Sequence, residues 1–433
     1  MKNRFISTFT TIAITTALTA CGVSGSEAVT TPTMADEYTV TRSKTELANV
    51  PDGGVGLAAS AYTNPIVGYS EDGDYIYGGD PSVLVDGDTV YLYTGHDTAT
   101  GDSYVIPEYL CYSTTDLLNW TYEGVIMTMA KDEVSWASGT TSAWAAQVAK
   151  HYDTESKSYK YYLYYCTWDA TDGGRQSIGV AVSDSPTGTF VDIGEPLVSG
   201  STTTNETSTW NDIDPTVWIE TDENGEEHRY LAWGNGLFYI CELNEDMISV
   251  KDLNGDGKIT SDSSTNEADI INMQSTLISY TEAPWLYRRQ DAEGNYYGSY
   301  YLFYAWGWRE RLAYATTDSL MDGKWTYSGG ALMYATTTSN TNHPAVFDFK
   351  GHTYMIYHDG SLAGGSGYRR SACIAELFFD EDGAISYVTE SAAGIGGIAS
   401  YISLATGEAI GHEYFVNSAS DNAYPYTAIA CGL

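Results

Sequence analysis

An all-β fold, a five-bladed β-propeller, is what the sequence predicts, and three observations carry it. An apolar hairpin recurs five times at a nearly constant interval. A second, outer strand pair follows several of these hairpins, making four strands per unit. The chain also carries 37 tyrosines, a residue that favours half-buried strands and aromatic surfaces.

The first hairpin is "YGGDPSVLVDGDTVYLYTGHD", residues 77–97. Val83, Leu84 and Val85 lead through the turn Asp86-Gly87-Asp88 into the β-branched and aromatic run Thr89–Tyr93. Pro81 fixes its own φ and is expected to bias Asp80 toward an extended conformation. The second copy, "SAWAAQVAKHYDTESKSYKYYLYY", starts near Trp144 and lacks the proline. The third, "NDIDPTVWIETDENGEEHRYLAWGN", again sets an aspartate, Asp214, before a proline. In the fourth, "TEAPWLYRRQDAEGNYYGSYYLFY", Glu282 stands two places before Pro284, and in the fifth, "NHPAVFDFKGHTYMIY", His343 precedes Pro344. Asp80, Trp144, Asp214, Glu282 and His343 are 64, 70, 68 and 61 residues apart. The outer pairs read "LCYSTTDLLNWTYEGVI", "IGVAVSDSPTGTFVDIGEPL" and "LAYATTDSLMDGKWTYSGGAL".

In a propeller the first strand of each blade lines the central channel, and all five enter it from one face. The residue opening each first strand therefore points into a shared funnel. Asp80, Asp214, Glu282 and His343 are expected to converge there, and three carboxylates so close would shift one another's pKa values.

The 433-residue chain carries a net charge of −37, which argues against nucleic acid or anionic lipid as partners and favours a neutral substrate. It begins "MKNRFISTFTTIAITTALTACG", with Lys2 and Arg4 before an uncharged stretch too short for a membrane span. Leu18-Thr19-Ala20-Cys21 resembles a bacterial lipobox, in which the cysteine bears the lipid. Residues 1–21 are thus read as a lipoprotein-type signal peptide, 22–60 as a flexible tether and 61–400 as the propeller, with 401–433 as a C-terminal segment of open role. The expected location is secreted and anchored to the cell surface, touching the membrane only through that lipid, and the expected state is a monomer.

Cys111, Cys166, Cys241, Cys373 and Cys431 are scattered and show no CxxC pair, so buried free thiols are expected rather than disulfides or zinc. In "DLNGDGKITSDS", Asp252, Asn254 and Asp256 take the first, third and fifth positions of an EF-hand-like loop, but position twelve is Ser263. Either a calcium-stapled hairpin or a plain Asp/Asn/Gly loop fits that pattern.

Acid–base cleavage of a glycosidic bond needs one carboxylate to activate water and one carboxylic acid to protonate the departing oxygen. The segments "GGDPSVLV", "SAWAAQV", "NDIDPTVWI", "TEAPWLY", "TNHPAVFDFKG" and "GYRRSACIAEL" closely resemble glycoside hydrolase family 43 over roughly residues 62–390. The resemblance implies a five-bladed propeller and an inverting mechanism. It implies Asp80 as general base, Glu282 as general acid and Asp214 as the acid that tunes the donor. It also implies that His343 touches a water or a channel calcium, that Arg370 lies near the bound sugar, and that Trp144 and Asn235 contact substrate. No cofactor is needed for the chemistry; calcium has two candidate places, near His343 through water or in loop 252–263. Departures from the family pattern are Ala146, Ala283 in place of the commoner glycine, and Arg369 in place of histidine.

"VYLYTGHD", "GVAVSDSPTGTF" and "YICELNEDMISV" look most like members acting on arabinoxylan, which implies release of α-L-arabinofuranose. The expected partner is a plant cell-wall polysaccharide or oligosaccharide of arabinoxylan, arabinan or xylan. β-Xylosidase and endo-arabinanase activity remain open on the same fold. A non-catalytic sugar-binding propeller and a structural lipoprotein are the readings from other classes, and the presence of all three carboxylates weighs against both.

Overall fold

The structure, a computed structural model, describes residues 64–68, 74–391 (except 201, 204–207, 262–267, 274–275, 292, 322–323 and 337) and 394–395. For residues 55–58, 399–403, 409–416 and 427–432 it describes the strand backbone alone. The signal peptide read at 1–21 and most of the tether lie outside the described residues.

Every regular element among the described residues is a strand, and five of the six sheets are the blades of a β-propeller. After β1 (Val55–Ala58), blade one consists of β2 (Gly78–Asp86), β3 (Thr89–His96), β4 (Glu108–Thr114) and β5 (Thr121–Thr128). Blade two has β6 (Ala146–Asp153), β7 (Ser158–Trp168), β8 (Gln176–Ser183) and β9 (Val191–Asp192). Blade three has β10 (Thr216–Thr221), β11 (Glu227–Trp233), β12 (Tyr239–Glu242) and β13 (Ile270–Asn272). Blade four has β14 (Tyr280–Gln290), β15 (Tyr296–Trp306), β16 (Arg311–Thr317) and β17 (Thr326–Tyr327). Blade five is β18 (Ala345–Phe349), β19 (His352–Asp359) and β20 (Ser371–Leu377), three strands where the repeat predicts four.

The chain divides into two units, Val67–Cys373 and Met1–Ile66 with Ile374–Leu433. In the second of these, β1 pairs antiparallel with β21 (Ala399–Ser403), followed by β22 (Ala409–Val416) and β23 (Thr427–Gly432). The strand at 55–58, inside the segment read as a tether, and the C-terminal segment thus share one sheet. Asn64 exchanges two hydrogen bonds with the Ile374 backbone, donating from Nδ2 to O (3.0 Å) and accepting from N at Oδ1 (2.8 Å).

Within Val67–Cys373 the core lies between blades, and β7 shows why these sequences stack as sheets. Tyr161, Leu163 and Tyr165 face one neighbour with Tyr93, Ile106 and Trp136, while Tyr162, Tyr164 and Cys166 face the other with Val217 and Trp233. Successive strand residues point to opposite faces, so a run apolar at every position suits a strand covered on both sides. Each large side chain so buried contributes about 1.5–3 kcal/mol. Cys111, Cys166, Cys241 and Cys373 are buried and free.

The five first strands, β2, β6, β10, β14 and β18, neighbour one another in a closed circle. Side chains tie them together: Gln147 Oε1 accepts the Val217 N–H (2.9 Å), and Trp285 Nε1 donates to Val346 O (2.8 Å). A cavity of about 340 Å³ lies inside the circle, lined among others by Val83, Gln147, Val217, Leu286 and Phe347.

Candidate active site

The site is built where the first strands begin. Asp80 lies in β2 at a break in its pairing with β3, between the Gly79–Gly95 and Ser82–Tyr93 partners. The expectation of an extended Asp80 fails: its φ is 50°, in the left-handed region. Asp214 (φ 58°) and Ala283 (φ 58°) repeat this, each directly before a proline. The steric bias of proline on its predecessor is thus overridden, at Asp80 and Ala283 by a break in strand register and at Asp214 just before its strand begins. A left-handed residue with a Cβ costs about 1–2 kcal/mol, and aspartate tolerates it better than most. At Ala283, where the family pattern favours glycine, this backbone angle is the reason for the preference. Glu282, one residue earlier in β14, is bracketed by register shifts on both sides.

Arg370 organises the first half of the site. It is 2% exposed, and its Nη1 donates to Asp80 Oδ1 at 2.5 Å. Its Nε and Nη2 donate to the two oxygens of Asp97, at 2.9 and 3.0 Å, and its backbone N–H also reaches Asp97, at 2.8 Å. A Cβ on Gly79 would lie 2.2 Å from the guanidinium carbon, so only glycine fits beneath it. Burial by itself would raise the Asp80 pKa, but the Arg370 guanidinium holds the carboxyl below the ordinary value. Asp97, deeper still, is raised by burial despite the same guanidinium.

Two neutral histidines back Asp80. The Asp80 N–H donates to His358 Nδ1 (3.1 Å), so the proton of that ring sits on Nε2, which faces Thr341 O at 2.9 Å. His343 Nδ1 is 3.9 Å from Asp80 Oδ1. Burial pushes His343 down to about 4 and His358, helped by Arg370, to about 3.

The second half is a cluster of carboxyls without a cation of its own. Asn235 Nδ2 donates to Glu282 Oε2 at 2.5 Å, and the Ala283 N–H donates to Asp214 Oδ2 at 2.9 Å. Glu310, 2% exposed, is pushed well above the carboxylate range by burial and by the charge of Glu282. Burial raises the Glu282 pKa, and the Asp80 charge adds to the rise. Asp214 is pushed well above the carboxylate range by burial and by the charges of Glu282 and Asp80. The resemblance implied Asp214 as the acid that tunes the donor; here Asp214 is itself among the groups driven toward the neutral form.

The sequence-chosen residues Asp80, Asp214, Glu282, Asn235, His343 and Arg370 are therefore brought together. Trp144, just before β6, stands at the middle of an aromatic arc. Tyr368 packs edge-on against Tyr104 (4.9 Å between centroids), Tyr104 against Trp144 (5.6 Å), Trp144 against Trp210 (5.1 Å) and Trp210 against Trp168 (4.7 Å). The Arg370 guanidinium lies 4.7 Å from the Tyr104 ring centre, which joins this arc to the carboxyl cluster. Half-buried aromatic faces of this kind suit the apolar face of a sugar ring.

Asp252, Asn254 and Asp256 are not part of this assembly. The antiparallel register sets Trp233 opposite Tyr239 and Tyr230 opposite Glu242, so the loop after β12 leaves the blade at the opposite end. Asp252 accepts the N–H groups of Gly255 and Gly257 (both 2.7 Å), and Asn254 and Asp256 accept those of Asp256 (2.9 Å) and Lys258 (2.8 Å). These turn bonds account for the loop's side chains, and Ser263 lies outside the described residues. Near His343 the carboxylate a hard dication would seek, Asp80, is already held by Arg370, so the residues present fit a water there better than a directly bound calcium.

The residues that sequence reasoning missed share one position. Asp97 follows β3, Trp168 ends β7, Glu310 follows β15 and His358 lies one residue before the end of β19. An antiparallel second strand ends at the face where the first begins, so the hairpin repeat predicts a second ring of site residues; Asn235, after β11, belongs to it.

The model of the family described as glycosyl hydrolases family 43 matches residues 62–385. A xylosidase/arabinosidase of Bacteroides ovatus is 28% identical over 354 residues, 73% of this chain and 96% of the relative. Among solved structures, a family 43 β-xylosidase/α-arabinofuranosidase from a compost microbial metagenome, in complex with xylotriose, is similar with a TM-score of 0.56. It is 26% identical, and the match covers 77% of this chain and 98% of that one. An arabinoxylan arabinofuranohydrolase of Bacillus subtilis, in complex with cellotetraose, has a TM-score of 0.59 at 25% identity, over 78% and 69% of the two chains.

Proposed function

The chain belongs to glycosyl hydrolases family 43, and from that premise we propose that it acts on xylan and arabinoxylan, releasing α-L-arabinofuranose with inversion of configuration. One observation carries the assignment of roles: the same funnel treats its carboxyls in opposite ways. Asp80 is clamped by Arg370 and stays ionised, as a base must, while Glu282, half-buried among acids, is driven toward its protonated form, as a donor must be. A pair of titratable groups pushed apart in this way is the usual mark of a base and its acid.

In this reading the sugar lies against the arc around Trp144, with its anomeric carbon between the two carboxyls. Asp80 takes a proton from the attacking water, the bond from anomeric carbon to leaving oxygen breaks, and Glu282 gives that oxygen its proton. Asp214, through the Ala283 N–H, orients the strand that carries Glu282. Asn235 holds the donor carboxyl and need not touch the sugar. Arg370 fixes Asp80, and its place over Tyr104 lets it border the sugar.

The proposal includes export and lipid anchoring at Cys21, and a monomeric state. A β-xylosidase is the second reading, supported by the relatives named for both activities and by the neighbour solved with xylotriose. The test is sugar release from wheat arabinoxylan, debranched arabinan and xylobiose side by side. Arabinose from arabinoxylan is expected. Xylose from xylobiose alone would replace the first reading with the second, and an oligosaccharide ladder from arabinan would point to endo action.

A further inference from the structure

Trp308 is a large apolar side chain that the mechanism above leaves idle. At 74% exposed, it stands further into solvent than any other large apolar side chain among the described residues. A single exposed apolar side chain is ordinary on a protein surface. What sets Trp308 apart is where it stands and how firmly its turn is held.

Its place is the rim of the funnel. The antiparallel register sets Glu282 on β14 opposite Ala305 on β15, and Tyr280 opposite Trp306. Trp308 follows three residues after the strand partner of Glu282, in the turn 307–310 that joins β15 to β16. Gly307 supplies the left-handed angle that begins this turn (φ 63°), and its N–H donates to Ser279 O at 3.0 Å. Arg309 is tied down, donating from Nε to Asn340 Oδ1 (3.0 Å) and from Nη2 to Ser339 O (2.7 Å). Glu310 turns inward: its N–H donates to Asn340 O (3.1 Å), and its Oε2 accepts the Asn342 N–H (2.8 Å). Trp308 is therefore the side chain that the turn presents to solvent. The strip that anchors the turn also reaches the aromatic arc, because Thr341 Oγ1 lies 3.3 Å from the Tyr104 hydroxyl. The indole stands outside the pocket, on the blade-four side of its mouth.

We propose that Trp308 is a binding platform for the main chain of xylan, taking a xylopyranose unit beside the branch point while the arabinofuranose side chain occupies the funnel. This rests on the reading of the site as one for arabinoxylan. A pendant sugar that enters the funnel leaves the chain from which it hangs lying across the rim. A xylopyranose ring bears no exocyclic hydroxymethyl group, so its faces are lined by C–H bonds and lie flat on an indole. The rings of the arc suit the pocket sugar instead, since Trp144 and Tyr104 are half-buried and packed edge-on at 5.6 Å. Holding the turn in place before the polymer arrives lowers the ordering cost of binding. Tryptophan is also the side chain that most often dominates the energy of a contact surface.

The test compares Trp308→Ala and Trp308→Phe with wild type in the full enzyme. Little packing is lost with so exposed a side chain, so both variants are expected to fold with unchanged Tm. For arabinose release from arabinoxylan, kcat/KM of Trp308→Ala should fall about tenfold, through KM, and Trp308→Phe should recover most of that loss. On an aryl arabinofuranoside, which has no main chain, the same variant should stay within about twofold of wild type. Equal losses on the two substrates, or no loss on either, overturn the proposal. Electrophoresis through gels containing arabinoxylan measures binding without turnover: migration of Asp80→Asn should be retarded, and the retardation should weaken when Trp308→Ala is added. Retardation that is absent, or unchanged by the second substitution, overturns the proposal. A dimer in size-exclusion chromatography that Trp308→Ala converts to monomer would assign the indole to a second copy of the chain and overturn it likewise. Absence of arabinose release from a wild type whose retardation depends on Trp308 would count against the proposed activity and leave the platform standing.

Discussion

Asp80→Asn separates the catalytic role of this side chain from its structural one. Asparagine has the same volume, keeps an oxygen to accept from Arg370 Nη1, and is at ease at a φ of 50°. Arg370 also retains both bonds to Asp97, so no buried cation is left unpaired. The loss of stability at neutral pH should be that of a charged hydrogen bond turned neutral, about 1–2 kcal/mol. Loss of a general base costs roughly 10²–10⁴ in rate, about 3–5.5 kcal/mol of barrier. The catalytic loss should thus exceed the stability loss severalfold. The Asp80 pKa is lowered in the folded state, so its charge stabilises fully above the unfolded value near 3.9 and ceases to do so as pH falls through the lower folded value. The Tm gap between wild type and variant should therefore narrow from pH 7 toward pH 3. Initial rates on an aryl arabinofuranoside and thermal melts across pH measure both quantities. A folded variant with more than a tenth of wild-type kcat/KM would refute Asp80 as the base, and a Tm gap that widens in acid would refute the charge pair.

Proton NMR of the first-formed arabinose should show the β anomer from an α-linked substrate; initial α anomer would mean a retaining mechanism. Asp214→Asn removes one member of the coupled acids, so the basic limb of kcat/KM should shift toward acid while the acidic limb, set by Asp80, moves less. An unmoved basic limb would leave Asp214 as an orienting group only. Glu282→Gln should harm hydrolysis of arabinoxylan far more than that of an activated aryl glycoside, whose leaving group needs little protonation; equal losses on both would remove the donor assignment. Chelation with EDTA should leave kcat unchanged, since proton donor and acceptor are both side chains, whereas a reversible loss restored by calcium would require an ion in the site.

Much of the fold was legible because a propeller repeats its pattern. The interval between Asp80, Trp144, Asp214, Glu282 and His343 revealed the blades even though Trp144 lacks the following proline. What the pattern could not supply was the edge of the last blade. Blade five stops at three strands, and the chain beyond Leu377 pairs in part with β1, from a segment of Ser, Thr, Gly and Ala with little periodicity. Strand pairing by a short apolar piece such as Val55–Ala58 leaves no periodic signal to read. The left-handed Asp80 was hidden for a related reason: proline restricts its predecessor locally, but the bulge is imposed by the strand that β2 must join.

The missed residues show how the repeat could have been pressed further. A hairpin has two ends at the channel mouth, and the acid–proline pattern marks only the first of them. The other end supplies Asp97, Trp168, Asn235, Glu310 and His358, one from each blade. The two rings divide the work: the first brings the carboxyls of Asp80, Asp214 and Glu282 together, and the second sets their charge. Asp97 anchors the arginine that keeps Asp80 ionised, and His358 accepts the Asp80 N–H and so holds its backbone in place. Asn235 donates to the Glu282 carboxyl, and Glu310 adds a second buried acid whose own pKa the Glu282 charge raises. A carboxylate becomes a base or an acid through its neighbours, and in this fold several of those neighbours stand at the end of a returning strand, on the same blade for Asp97 and on other blades for His358 and Asn235.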